Sequence, residues 1–368
     1  MRISIIGPAY PLRGGIAHHV FWLHRELTAR AHTVQVVSFR KLYPRIFFPG
    51  TSELDTSHLK LDAGAAPILT PLNPVTWLRA FKHVKAFSPD VIMFQWWQPF
   101  FGPVVGTLAR CFRRSGVRCI IECHNIVPHE RSPLDGPLTR FALSAADQLI
   151  THSAKDREDL LALLPGKEVS VSPLPSLNEF SSPAKCSRSG RTILFFGKVR
   201  KYKGLDILLA AMPMVLSKVD CKLIVAGEFY DSIEKYQQLI RRYDLESHVH
   251  IDNRYVPNEE VAEIFEGADV LVLPYVSASQ SGVVRIALSS GLPVIASRTG
   301  GLSESVLENV NGLLFPAGDS DALAQRIVTF FDDNLGPALS DNILKSTAQS
   351  SSHQLADAIE EMMRTSRR

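Results

Sequence analysis

Four cations crowd one short stretch of this 368-residue chain: Lys198, Arg200, Lys201 and Lys203 lie between Gly197 and Gly204. An apolar run, Ile193-Leu-Phe-Phe196, stops at the first glycine, and an amphipathic stretch follows the second. In an open α/β sheet this reads as a strand ending in a cationic loop, at the edge where such sheets bind ligands. Packed cations call for an anion, and a pyrophosphate is the obvious one. A basic strand-to-helix turn with no ligand would have the same sequence, so the loop needs a partner elsewhere.

That partner is the segment from Leu271 to Glu304. It reads as strand Val270–Tyr275, polar turn Ser277-Ala-Ser-Gln-Ser-Gly282, helix Val283–Ser290, strand Pro293–Ala296 and turn Gly300-Gly-Leu-Ser-Glu304. Gly282 permits close backbone approach, and the N–H groups that open the following helix attract phosphate.

Six strings occur in order: Phe196-Gly197…Lys203-Gly204, Ala226-Gly227-Glu228, Ala268-Asp269 with Leu273-Pro274, Gly291-Leu-Pro-Val294, Gly300-Gly301-Leu-Ser-Glu304 and Asn311-Gly312-Leu-Leu-Phe315. Together they resemble the family-4 retaining nucleotide-sugar glycosyltransferases over nearly the whole chain. The resemblance implies the GT-B architecture, an α/β fold of two Rossmann-like domains facing each other across a cleft. It implies catalysis without a metal. Asp332-Asp333 reads as a solvated helix end.

Carried over residue by residue, the resemblance makes Arg200 and Lys203 the cations on the donor pyrophosphate, with Lys198 at the family's usual arginine position. His124, in Glu122-Cys-His-Asn-Ile-Val-Pro-His-Glu130, matches the histidine that contacts the donor sugar near the reacting carbon. Gly14 and Gly15 match the glycine loop under the donor phosphate and sugar, where Arg13 borders the acceptor. Tyr255 and Val256, in Arg254-Tyr-Val-Pro257, match the loop that brackets the base. His129 and Glu130 are acceptor candidates or loop anchors. Glu304 either binds ribose or caps its own helix.

One departure concerns the two glutamates that most family members carry with seven residues between them. Their positions, counted back from Gly291, are Ala278 and Ile286 here. The chain resembles a variant branch with a Ser-Gln-Ser-Gly turn. Gln280 is then expected on sugar hydroxyls, and the amides of Ser281, Gly282 and Val283 on phosphate. The loss leaves donor identity open. It also keeps two other functions in play: a non-catalytic GT-B partner protein, and an epimerase or hydrolase on the same fold. Intact His124, Arg200 and Lys203 oppose the first, and the missing carboxylates oppose the second.

The elements that must position these groups are legible as alternating apolar strands and helical stretches. Strands are expected near 3–6, 34–38, 91–95, 119–123, 148–151 and 168–171, with helices over 16–30, 75–87 and 104–114. A second series runs 192–196, 222–226, 249–251, 270–274, 293–296 and 312–315. The domains are then 1–178 on the acceptor side and 192–340 on the nucleotide-sugar side, joined by a Ser/Pro-rich linker over 179–191. Residues 341–368 are expected to supply a C-terminal helix near the domain junction.

Composition is that of an ordinary globular protein, 45% hydrophobic and 21% charged. The net charge of +3 conceals an asymmetry. Residues 1–118 hold fifteen Lys/Arg against five Asp/Glu, which makes the rest of the chain acidic. A basic first half suits an anionic partner; a membrane surface or phosphate-bearing acceptor fits, and no nucleic-acid motif is present. Residues 75–87 set Trp77, Ala80, Phe81, Val84 and Phe87 against Arg79, Lys82, His83 and Lys85. An interfacial helix looks like this, and so does a helix packed on a sheet. Five scattered cysteines without zinc spacing read as reduced thiols. With neither signal peptide nor membrane span legible, the expected location is cytoplasmic, with peripheral contact at the inner membrane face left open.

Overall fold

The structure, a computed structural model, describes residues 1–44, 52–128, 132–175, 180, 190–349 and 353–365. The chain divides into two compact units. One gathers Met1–Thr56, Lys60–Pro175 and the chain from His353; the other gathers Ser57–Leu59 and Ser176–Ser352. Most of the expected linker, residue 179 and residues 181–189, lies outside the described residues.

The first unit alternates β1 (Arg2–Ile6), α1 (Gly15–Ala29), β2 (Thr33–Phe39), β3 (Ala66–Leu69), α2 (Pro74–Phe87), β4 (Val91–Trp96), α3 (Gly102–Arg114), β5 (Arg118–Cys123), α4 (Asp135–Leu143), β6 (Gln148–Thr151), α5 (Ala154–Leu163) and β7 (Val169–Val171). Among the described residues the sheet has seven strands in the order β3-β2-β1-β4-β5-β6-β7, all parallel. Helices cover both faces, which explains why β4 is buried at every position and reads as one apolar run. The order reverses between β1 and β4, and a doubly wound sheet opens its crevice at the carboxyl ends of such strands.

The second unit runs β8 (Thr192–Phe196), α6 (Leu205–Leu216), β9 (Lys222–Ala226), α7 (Ile233–Arg242), β10 (Val249–Asp252), α8 (Asn258–Glu266), β11 (Val270–Leu273), α9 (Gly282–Ser289), β12 (Val294–Ser297), α10 (Leu302–Ser305), β13 (Gly312–Phe315), α11 (Ser320–Asp332) and α12 (Leu335–Gln349). Its strand order is β10-β9-β8-β11-β12-β13, with the reversal between β8 and β11. The last helix, α13 (Gln354–Thr365), follows this unit in sequence but belongs to the first. Leu355, Ile359, Met362 and Met363 join the core of Ile3, Ile5 and Leu23. Arg30 donates to Asp357 at 2.6 Å, and Arg118 to the carbonyl of Met362 at 2.7 Å.

Two elements bear on points where the sequence reading is silent or leaves two alternatives. The edge strand β3, Ala66-Pro-Ile-Leu69, has only four residues, and its Pro67 is tolerated because an edge strand need not donate on both sides. On α2, Ala80 and Val84 are buried while Trp77 and Phe81 pack against the core. That apolar face is used on the sheet, the second of the two readings left open for it. Among the described residues no helix is long and apolar enough to cross a membrane.

Candidate functional site

Each unit gathers polar groups where its sheet order reverses. In the second unit β8 ends at Phe196, and Gly197 turns the chain with φ 96°. Backbone bonds lace the loop to the one after β9: Gly197 N–H donates to Ala226, Val199 to Glu228, and Tyr230 back to Val199. Lys198 and Arg200 reach over the ring of Tyr230, at 5.3 and 5.0 Å from its centroid. Lys203 turns inward. It is 7% exposed, with Nζ 5.3 Å from the ring centroid of Tyr275 and 3.2 Å from where a Cβ on Gly197 would stand.

The loop ends at Gly204, whose φ of 68° opens α6 and where a Cβ would meet the Pro274 carbonyl oxygen at 2.0 Å. No side chain fits there. Burial, with Arg200 close by, pulls the Lys203 ammonium below the usual lysine range, against an opposing pull from Tyr202. Among the described residues no carboxylate lies within ion-pairing distance of Arg200 or Lys203.

The Ser-Gln-Ser-Gly turn lies beside this loop. Val283, in the first turn of α9, is 3.6 Å from the Cβ position of Gly197. The helix opens at Gly282 with no side-chain cap and no acidic residue in its first turn. A Cβ on Gly282 would meet nothing within 4 Å, so the fold does not require that glycine. Gly300 is required: its Cβ would fall 1.6 Å from the carbonyl oxygen of Ala278, and Gly301 N–H donates to Ser279. The double-glycine turn therefore backs the serine turn. Ile286, at the second missing-glutamate position, is buried, and Gln280 is half-buried.

Other residues singled out in this unit lie on separate elements. Tyr255 and Val256 follow β10, the edge strand, with Tyr255 half-buried and Val256 buried. The adjacent Arg254 is engaged by Asp252 and Glu260. Glu304 is exposed on α10. Asp332 and Asp333 are exposed at the end of α11, a solvated helix end.

In the first unit Gly14, at φ 121°, precedes α1, Gly15 is exposed at its first position, and Arg13 is buried. His124 follows β5, is half-buried, and its N–H donates to the Trp96 carbonyl at 2.8 Å. His129 and Glu130 lie outside the described residues.

Around His124 the structure assembles a cluster that sequence reasoning missed. Glu122 is fully buried; His19 Nε2 on α1 donates to its Oε1 at 2.8 Å, and His152 Nε2, just after β6, is 3.3 Å from the same oxygen. Gln95 on β4 donates through Nε2 to Oε2 at 2.8 Å, and its Oε1 meets His124 Nε2 at 2.6 Å. Burial alone would raise the Glu122 pKa, but His19 and His152 outweigh it and hold the carboxyl well below the usual range. Burial, then His19 and His152, push the His124 imidazole well below its usual range, against the pull of Glu122. A signal was available: Gln95 and Glu122 interrupt two apolar strands at positions that turn out to be direct register partners.

Comparison with known proteins covers both units. Residues 190–333 match the family described as "Glycosyl transferases group 1", and residues 14–175 the "Glycosyl transferase 4-like domain". The phosphatidylinositol N-acetylglucosaminyltransferase gpi3 subunit of Schizosaccharomyces pombe is 26% identical over 89% of this chain and 72% of its own. The D-inositol 3-phosphate glycosyltransferase of Corynebacterium diphtheriae is 25% identical over 51% of this chain and 46% of its own. The chain spans about half the length of this relative and of others of that name. Among solved structures, Anabaena HepE in complex with UDP-glucose superposes with a TM-score of 0.74 at 17% identity, over 98% of this chain and 99% of its own.

Proposed function

This chain belongs to the group 1 glycosyl transferases of the GT-B fold, and we propose that it is a retaining, metal-independent enzyme that moves a sugar from a nucleoside diphosphate to a hydroxyl acceptor. The observation that carries this reading is the pair Arg200 and Lys203. Both are cationic, neither has a carboxylate within ion-pairing distance among the described residues, and Lys203 lies beside Gly197 and the open amino end of α9. A pyrophosphate supplies the missing charge. As the sugar–phosphate bond lengthens, negative charge grows on the leaving oxygen, and fixed cations in a site poor in water lower that barrier without a metal. The acceptor oxygen bonds to the anomeric carbon on the face the phosphate leaves, which keeps the configuration, and gives its proton to the leaving phosphate oxygen.

In this reading Arg200 and Lys203 hold the diphosphate, with Lys198 at its border. The amides of Ser281, Gly282 and Val283 face phosphate, Gln280 meets the sugar, and His124 stands by the reacting carbon. Gly14 and Gly15 leave room for the donor, Tyr255 and Val256 take the base, and Glu304 takes the ribose. Anabaena HepE, which shares the fold, has been solved in complex with UDP and with UDP-glucose, so UDP-sugars are the first donors to try. Basic charge in the first half supports a phosphate-bearing or lipid-linked acceptor.

The test is calorimetry with UDP, GDP and ADP in EDTA, followed by transfer from the matching nucleotide sugar and NMR of the product's anomeric proton. Binding that needs magnesium overturns the metal-free reading, and an inverted product overturns retention. Binding without transfer to any hydroxyl acceptor favours the non-catalytic reading, which the apolar residues at 278 and 286 support.

A further inference from the structure

The cluster beneath His124 fixes more than its position. The carboxylate of Glu122 can only accept, so the contact from Gln95 must come from the amide NH₂ group. That settles which way the amide faces. Its oxygen then points at His124 Nε2 across 2.6 Å, and an oxygen acceptor there requires a proton on Nε2.

Gln95 has little freedom to turn round. It is 1% exposed, paired in register with Glu122 across β4 and β5, and pressed against the backbone of Gly7, where a Cβ would stand 2.6 Å from Gln95 Cγ. Glu122 is held in turn by His19 from α1, and His152, whose Nδ1 donates to the carbonyl of Ser172 at 2.8 Å, brings its Nε2 to 3.3 Å from the same carboxylate oxygen.

We propose that Glu122, acting through Gln95, fixes the imidazole of His124 in the tautomer that carries its proton on Nε2, making Nδ1 the acceptor nitrogen of the ring. Gln95 and Glu122 are thus positioning residues, and any substrate group that meets Nδ1 must be a hydrogen-bond donor such as a sugar hydroxyl. Among the described residues, the charged and titratable groups facing His124 are His19 from α1, Glu122 at the end of β5 and His152 after β6. Burial and the two histidines disfavour a second proton on the ring.

The same atoms invite a competing assignment as a metal site. Nitrogen and oxygen atoms of His19, Glu122 and His124 lie within 4.8 Å of one another. A zinc ion bonds such ligands at about 2.0–2.1 Å, so two of them cannot stand more than about 4.2 Å apart around it. With Nε2 of His19 and of His124 already engaged in hydrogen bonds, the geometry favours a proton network.

The experiment is long-range nitrogen–proton NMR on histidine-labelled protein, a readout that needs no turnover. His124 should show a protonated Nε2 and a bare Nδ1 between about pH 6 and 8, the range in which an ordinary histidine titrates. Gln95→Met should mix the two tautomers, and Gln95→Glu, which places a second carboxyl against the ring, should raise the pH at which His124 protonates. Turnover in Gln95→Met should fall by roughly tenfold, about one hydrogen bond, with nucleotide affinity unchanged. A proton on Nδ1 in the wild type overturns the proposal. So does an unaltered His124 signal in folded Gln95→Met, or stoichiometric zinc uptake that Glu122→Gln abolishes. The activity arm rests on the glycosyltransferase reading. An inactive wild type with the expected tautomer refutes that reading and upholds this one.

Discussion

The ammonium of Lys203 lies beneath Gly197: a methyl group built on that glycine would stand 3.2 Å from Nζ. The strand-ending glycine and the buried cation therefore form one structural unit. The φ of 96° at Gly197 turns the chain, and its missing side chain leaves the space that Nζ borders.

Lys203→Met should separate stability from binding. Burial pulls the Lys203 pKa down, so the unliganded fold bears a cost for this charge. The unfolded chain holds the proton more tightly, so stability of the apo protein should rise as pH climbs through the lowered pKa toward 10.5. In Lys203→Met that rise should vanish and the melting temperature should hold or increase. Nucleotide affinity and turnover should both fall by about 1.5–3 kcal/mol, a factor of roughly ten to a hundred. Calorimetry and melting curves across alkaline pH check both halves.

Two glycines should respond in opposite ways. Gly282→Val meets open space, so the protein should keep its melting temperature while nucleotide affinity and turnover both drop, because the side chain obstructs backbone approach to phosphate. Gly204→Ala drives a Cβ into the Pro274 carbonyl at a φ of 68° and should destabilise the second unit by more than 1 kcal/mol. A stable Gly204→Ala protein would contradict the packing described.

Glu122 should govern acid stability of the first unit. Its folded pKa lies well below 4.5, so its contribution is complete above that pH and is lost as pH falls through the folded value. Glu122→Gln should flatten the acid side of the curve of melting temperature against pH. A variant as acid-sensitive as the wild type would exclude Glu122 as the source.

Ile359→Ala tests whether α13 belongs to the core of the first unit. The side chain is fully buried among Ile3, Ile5 and Leu23. Its truncation should cost about 2–5 kcal/mol. All four tryptophans (22, 77, 96 and 97) lie in this unit, so urea unfolding followed by tryptophan fluorescence reads it selectively.

Gln280→Ala should damage transfer more than nucleotide binding, because a sugar contact is absent from the bare diphosphate. UDP or GDP affinity measured beside turnover decides it: equal losses in both would move Gln280 to the phosphate or ribose site.

Most strands could be read from the sequence because each is a short apolar run that ends at a glycine or a polar turn, as at Phe196-Gly197 and Ile6-Gly7. A strand covered on both faces has no other way to be written. The cationic loop was legible for a similar reason: its four charges are neighbours in the chain. The strand β3 was not, since four residues containing a proline carry too little pattern.

The cluster around His124 had to wait for the tertiary structure. His19, Gln95, Glu122 and His152 come from α1, β4, β5 and the turn after β6, separated by up to 133 positions. Only the parallel register that sets Gln95 opposite Glu122, and the packing of α1 over those strands, brings them within hydrogen-bond reach. Local propensity decides which segments form strands, whereas the partners of a buried carboxylate are decided by register and packing, which no local window of sequence contains.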